Sequence, residues 1–273
     1  MPILTDTSVA SDWIEPDEVA RPVVTYGMAS QMIGSFEIDM HCHGKGQIML
    51  VQRGALSCRV EGGLWIVPPR SAVWIPGGAL HAVKATGALE GYSAFVAADI
   101  DAGLPQRCCT VSVTPLLREL LFRAASLPLF YEEDGVNSRL ITVLLDEIAA
   151  AKVEDLHLPM PADPRLRSLV DLMMAAPAER GSLQGWAKRI GLSERTLERL
   201  ISRETGMSFG RWRQQLGVML AVQWLADGAS IQQVAADLGY ESVPSFVTMF
   251  RKTLGTSPGR YMAERHSGRH AGS

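Results

Sequence analysis

Between Val23 and Val96 the apolar positions fall in short runs rich in β-branched and aromatic residues, cut by glycine and proline. The runs Gln47–Gln52, Leu56–Val60, Leu64–Val67, Ala72–Ile75 and His81–Lys84 are separated by Arg53-Gly54, Glu61-Gly62-Gly63, Pro68-Pro69 and Pro76-Gly77-Gly78. Short strands at that spacing predict a small barrel or sandwich. After Ala98 the period becomes helical. Thr114-Pro115 has the form of an N-cap followed by proline at the first helical position, opening a helix at Leu116. A second helix is predicted from about Asn137 to Ala151, with Leu140, Ile141, Leu144, Leu145 and Ile148 on one stripe. From Pro164 onward the pattern is all helical, broken at Gly181, Gly191, Gly206, Gly228, Gly239 and Gly255.

One pattern in that helical part occurs twice. Ser182 to Ile201 reads as helix, tight turn, helix: Gly191 suits the left-handed residue that ends the first, and Ser193 caps the second. Leu183, Trp186, Ala187 and Ile190 face inward, as do Leu192, Leu197, Leu200 and Ile201. About forty residues later, Ser230 to Phe250 repeats the pattern around Gly239. There Ile231, Val234, Ala235, Leu238, Phe246 and Phe250 take the inward positions. One helix, about Phe209 to Ala226, separates the copies, and its length of about 27 Å follows from 1.5 Å per residue. Two reading helices held that way can enter successive major grooves, about 34 Å apart, on one face of a duplex.

Charge sharpens this division. Residues 1–163 hold 11 Lys and Arg against 20 Asp and Glu, whereas residues 164–273 hold 15 against 9. An acidic half is thus joined to a basic half within a chain of formal net charge −3. Thirteen of the 15 cations in the second half are arginine, whose planar fork suits phosphates and guanine edges. The asymmetry points the second half alone toward a polyanion. Fixed boundaries follow: residues 1–151 as one domain, 152–163 as a linker, 164–265 as a second domain, and 266–273 as a disordered tail. No run of about 18 or more apolar residues is present, so no membrane span is expected. The N-terminus shows no secretory signal pattern. The four cysteines, Cys42, Cys58, Cys108 and Cys109, have no framework spacing and read as reduced thiols of a cytoplasmic protein.

Residues 164–262 resemble the DNA-binding domain of AraC/XylS-type transcription regulators. The stretches that carry the resemblance are Leu192–Phe209, Val234–Ser242 and, most specifically, Phe250–Tyr261 with Pro258 in it. The resemblance implies base contacts from the exposed side of the first reading helix, at Ser193, Arg195, Thr196, Glu198 and Arg199. Arginine offers two donors to guanine O6 and N7, and glutamate accepts from cytosine N4. The second reading helix departs from the family pattern, with Val243, Pro244, Val247 and Thr248 where many relatives carry Gln or Arg. Contact with thymine methyls, and phosphate contacts from Ser242, Ser245, Arg251 or Lys252, are the substitutes. The first helix is therefore expected to carry more of the base preference.

In the first half, His41-Cys42-His43, Gln47 and Gly54, then Pro76, Gly78 and His81, resemble the two signature segments of a cupin barrel. Gln47 stands where the usual ligand is Glu. His41 and His43, two apart on a strand, are expected to face the same way. Three imidazoles and an oxygen donor suit a divalent transition metal such as zinc, nickel or iron. The other reading makes His41, His43, Gln47 and His81 the lining of a metal-free effector pocket. Trp65 and Trp74 are candidates for that lining and otherwise read as barrel core. The segment Trp65–Gly78 is similar to regulators encoded beside exporter genes, which implies a drug- or metabolite-responsive role.

The fold class is therefore mixed: an N-terminal all-β cupin-like barrel with flanking helices, and a C-terminal all-α domain with two helix-turn-helix motifs. The resemblance implies a transcription regulator that is not an enzyme. Its partners would be double-stranded DNA, a second copy of the chain in a homodimer, an unidentified small-molecule effector and, for an activator, RNA polymerase. The alternative is a metal-dependent cupin dioxygenase or isomerase that carries a DNA-binding domain. The Leu140–Ile148 stripe fits either the barrel or a partner subunit.

Overall fold

The computed structural model describes residues 3–4, 14–30, 35–60, 62–86, 89–100, 103–154 and 156–266. The chain divides into two units, Met1–Glu61 with Trp65–His157, and Gly62–Leu64 with Leu158–Ser273. The first unit contains β1 (Ile3–Leu4), β2 (Val23–Ser30), β3 (Ser35–His41), β4 (Gly46–Arg53), β5 (Leu56–Val60) and, from Trp65 on, β6 (Gly63–Val67). It continues through β7 (Ser71–Ile75), β8 (His81–Thr86), β9 (Leu89–Val96), β10 (Cys109–Ser112) and β11 (Val153–Glu154). Helices α1 (Pro115–Ala125) and α2 (Val136–Ala149) lie between the last two, and β12 (His157–Pro159) follows. One sheet runs β1-β2-β9-β4-β7-β10-β11, and the other brings β6, β5, β8 and β3 together in that order.

β4 shows how the faces are used. Gly46 to Val51 are all buried, against the alternation expected of a strand with one wet face. Ile48 and Leu50 join an outer cluster with Leu117, Leu121, Ile141 and Leu144 of the two helices. Met49 and Val51 instead join an interior cluster with Leu56, Cys58, Trp65 and Val83 of the opposite sheet. Both faces of this strand are therefore dry.

Two expectations resolve here. The α2 stripe packs on the barrel: Ile141, Leu144, Leu145 and Ile148 are buried in the outer cluster, with Leu140 partly buried against it. Trp74 belongs to the same outer cluster, and its Nε1 donates to the Pro105 carbonyl at 2.6 Å. This corrects its placement in an interior effector pocket. Strand alternation sends Val73 and Ile75 inward and Trp74 outward. Trp65 is in the interior cluster and stacks on His157 with ring centroids 4.6 Å apart.

The second unit contains α3 (Pro164–Ala175), α4 (Leu183–Arg189), α5 (Glu194–Thr205), α6 (Phe209–Ala226), α7 (Ile231–Asp237), α8 (Val243–Leu254) and α9 (Pro258–His266). The tail beyond His266 lies outside the described residues. Serine caps open six of these helices, Ser257 before α9 among them, its hydroxyl accepting from the Arg260 amide. Ser182, Ser193, Ser208, Ser230 and Ser242 each accept from a backbone amide three residues on. α6 is apolar on most sides, with Trp212, Leu216, Val218, Met219, Ala221 and Val222 buried, as a helix at the centre of a bundle must be. Trp186, Leu197, Ile201, Val234, Phe246 and Phe250 complete the core from the two helix-turn-helix units.

Candidate functional sites

The two helix-turn-helix units share a local design. In the first, α4 ends at Ile190, Gly191 turns the chain with φ of 68°, and Ser193 opens α5. In the second, α7 ends at Leu238, Gly239 turns it with φ of 71°, and Ser242 opens α8. Only glycine takes such angles at no steric cost. Buried Leu197, Leu200 and Ile201 fix the roll of α5, and Phe246 and Phe250 fix that of α8. The remaining sides face solvent.

On α5, Arg195 and Arg199 are exposed, and among the described residues neither forms an ion pair. The same is true of Arg251 and Lys252 on α8. Some other cations of this unit are paired: Arg165 with Asp163, Arg189 with Glu179, Arg203 with Glu204 and Arg260 with Glu264. Ser193 and Thr196 hydrogen-bond each other at 2.8 Å, and Ser242 and Ser245 do so at 2.9 Å. These hydroxyls therefore shape the helix starts as well as facing outward. Val243 is half-buried, while Pro244 and Thr248 are exposed.

Glu198 is different. It is half-buried, and its Oε1 accepts from the Phe209 amide at 3.3 Å, at the start of α6. Sequence reasoning placed it among the base contacts because its periodicity matches that of Arg195, whereas the contact that engages it spans 11 residues. Sequence reasoning also missed Gln184 and Lys188 of α4, which line one shallow hollow with Ser193, Glu194 and Arg195. A second hollow is lined by Pro244, Val247, Thr248, Arg251 and Lys252.

The first unit brings His41, His43 and His81 together, with one ligand atom from each lying within 4.8 Å of the others. His81 opens β8, opposite Val60 of β5 and His41 of β3. The strand ends at His41, so His43 reaches the cluster from the turn beyond it rather than from the strand face. That turn is held from several sides. Asp17 accepts from the amides of Gly44 and Lys45 at 2.6 and 3.0 Å, and Gly78 donates to the His43 carbonyl at 2.8 Å. Lys45 is buried and donates from Nζ to the carbonyls of Val19 and Arg21. Burial pushes the Lys45 ammonium below its ordinary pKa, with Asp17 opposing the shift. Burial also pushes Asp17 up, but the two amides together with the charges of His43 and Lys45 outweigh it and hold the carboxyl below the usual range. A side chain at Gly77 would meet the Gly44 carbonyl at 2.1 Å, so the two turns can only pack with glycine there.

Each imidazole of the cluster uses Nδ1 on a backbone carbonyl: His41 on Asp39 at 2.8 Å, His43 on Lys45 at 2.6 Å, His81 on Ala79 at 2.9 Å. A carbonyl only accepts, so Nδ1 carries the proton and each neutral ring keeps its lone pair on Nε2. This is the outer-shell arrangement that orients metal-binding histidines. His81 is fully buried, its Nε2 has no hydrogen-bond partner, and burial pushes its pKa down to about 4. Gln47 is buried on β4, with Nε2 donating to Ser93 Oγ at 2.8 Å and Oε1 turned to His43 Nε2 at 3.2 Å. The donor set therefore fits a divalent transition metal. Ser93 went unnoticed in the sequence, because 46 residues separate it from Gln47.

A β barrel with a buried polar cluster, together with a basic helical unit presenting two capped, exposed helices, defines a ligand-binding regulator of transcription. The family described as AraC-like ligand binding domain matches residues 31–149, and that described as helix-turn-helix domain matches residues 186–264. The HTH-type transcriptional regulator NimR of Escherichia coli (strain K12) is 44% identical over 251 residues, 91% of this chain and 90% of that protein. The regulator RipA of Corynebacterium glutamicum is 34% identical over 103 residues, covering 38% of this chain and 31% of that protein. The solved DNA-binding domain of AdpA, in complex with a target DNA, is 28% identical with a TM-score of 0.37, covering 41% of this chain and 100% of that one. The chain belongs to the AraC-type family of transcriptional regulators. It has a ligand-binding N-terminal domain and a helix-turn-helix DNA-binding domain. Among the described residues, no helix is long and apolar enough to cross a membrane.

Proposed function

We propose that α5 and α8 read the duplex, with Arg195 and Arg199 on base edges and Ser193 and Thr196 at the helix start. Pro244, Val243 and Thr248 meet thymine methyls, and Ser242, Ser245, Arg251 and Lys252 meet phosphates. The observation that carries this is that Arg195 and Arg199 of α5 and Arg251 and Lys252 of α8 are exposed on the two capped helices and, among the described residues, form no ion pair. Glu198 is assigned to the fold rather than to bases. Selection of bound duplexes from a random library by the full chain, followed by footprinting, tests the reading. Enrichment of a two-part site is the expected result, and a library that stays random overturns it.

The barrel takes a small-molecule effector, and His41, His43, Gln47 and His81 hold a divalent metal (zinc, nickel or iron) beside it. A bound metal would supply a fixed positive, Lewis-acidic centre. The protein's part is to orient three Nε2 lone pairs and one amide oxygen. Two copies of the chain form a dimer. With the α2 stripe committed to the barrel, exposed Leu116, Phe122, Val136 and Val143 remain for the partner. The protein acts in the cytoplasm and, where it activates, meets RNA polymerase. We read it as a regulator rather than an enzyme because the families and the relative it matches over most of its length are those of transcriptional regulators.

A further inference from the structure

The DNA-binding unit contains a cleft that is lined by none of the residues assigned above to DNA. It encloses about 530 Å³, the size of a small-molecule site. Its floor is the face of α6 that carries Gly210, Gly217 and Leu220, and its walls come from the segment after α3 and from Leu238, Tyr240 and Met249 of the second helix-turn-helix unit.

The two glycines call for an explanation. Glycine is among the weakest helix formers, and these two stand two turns apart on one helix. A side chain added at either position would meet nothing within 4 Å. Neither glycine is needed to let another element approach. What they provide is open space above α6.

The rim is cationic. Arg213 is half-buried and donates Nη1 to the Gly181 carbonyl at 2.9 Å and Nη2 to the Glu179 carbonyl at 2.7 Å. Arg180 stands beside it, with its guanidinium 3.7 Å from the centre of the Tyr240 ring. Burial, and then the charge of Arg180, push the Arg213 pKa below its ordinary value. The carboxylate in the lining, Glu179, is held through both oxygens by Arg189. Among the described residues, Arg180 and Arg213 form no ion pair. Two adjacent guanidinium groups beside an apolar floor lack an anion.

We propose that this cleft binds a small molecule with an apolar body and one anionic group, the body on the α6 floor and the anion against Arg180 and Arg213. Such an occupant touches α6 and the second helix-turn-helix unit at once, so its binding is linked to the geometry of the reading helices.

Fluorescence titration of the full chain with 8-anilinonaphthalene-1-sulfonate tests this. The dye is expected to saturate a site that Gly217→Leu abolishes and Arg180→Gln weakens by about tenfold or more, a change of roughly 1.4 kcal/mol. N-phenyl-1-naphthylamine, which keeps the rings and lacks the sulfonate, is expected to bind that site at least about tenfold more weakly. Gly217→Leu adds a better helix former in open space and Arg180 is exposed, so circular dichroism is expected to show both variants folded. Unchanged dye binding by both variants overturns the proposal. So does a neutral probe that binds the Gly217-dependent site as tightly as the anion.

Discussion

His43 Nε2 lies 3.2 Å from Gln47 Oε1, while His43 Nδ1 already donates to the Lys45 carbonyl and Gln47 Nε2 to Ser93. In the neutral side chains the facing atoms are both acceptors, and a cation shared between them removes the conflict. Gln47→Glu, which adds charge to the donor set, is expected to tighten zinc binding by about tenfold or more, and His81→Ala to weaken it by a similar factor. Competition against a chromogenic chelator measures both. Zinc affinity indifferent to both changes would remove the metal reading and leave the pocket lining.

Arg195→Ala is expected to lower affinity for a selected DNA site by about 10- to 100-fold and to relax preference at one base pair, as loss of a bidentate guanine contact does. Fluorescence anisotropy on the selected site and its single-base variants reads this out. A uniform loss across all variants would make Arg195 a phosphate contact instead.

Glu198→Ala is expected to act on stability. Losing the acceptor for the Phe209 amide costs about 1 kcal/mol, within the range of helix caps, and leaves base preference as it was. Urea unfolding and repeated site selection with this variant separate the two roles.

Gly239→Ala is expected to destabilise the second helix-turn-helix unit by about 2 kcal/mol or more, since the residue combines a left-handed angle with a tight contact. Its φ is 71°, and a methyl group there would lie 2.2 Å from the Ala178 carbonyl. Denaturant midpoints measure the loss, and a midpoint equal to wild type would show that the loop at Ala178 yields.

Asp163 caps α3 and pairs with Arg165, whose side-chain hydrogen bonds first, and backbone amide next, hold its carboxyl near pKa 2 against an ordinary 3.8. A folded pKa below the unfolded one gives stability that is present above about pH 4 and lost as pH falls toward 2. Asp163→Ala is therefore expected to lower the melting temperature at pH 7, with the gap from wild type closing between pH 4 and 2. A gap that stays constant across that range would assign the effect to helix propensity.

Local order along the chain determined much of this protein. Turn residues at Gly54, Pro68 and Gly78 announced the strands, and Ser193 with Gly191 announced a helix-turn-helix, because caps and left-handed turns depend on residues only a few positions apart. The repeat around Gly239 marked the second copy for the same reason. His41, His43 and His81 were legible as a set through the resemblance of their two segments to the signatures of a cupin barrel. What tertiary structure alone decided were relations across long stretches of chain: Lys45 clamped to Val19 and Arg21, Ser93 orienting Gln47, and Glu198 turned to Phe209. Trp74 and the α2 stripe belong here too, since periodicity shows that a side is apolar but not which surface covers it. β10 escaped notice because its four residues become a strand by pairing with β7 and β11. Short-range sterics and capping are written into neighbouring residues, whereas the partner of a buried polar atom is chosen only when distant segments are packed together.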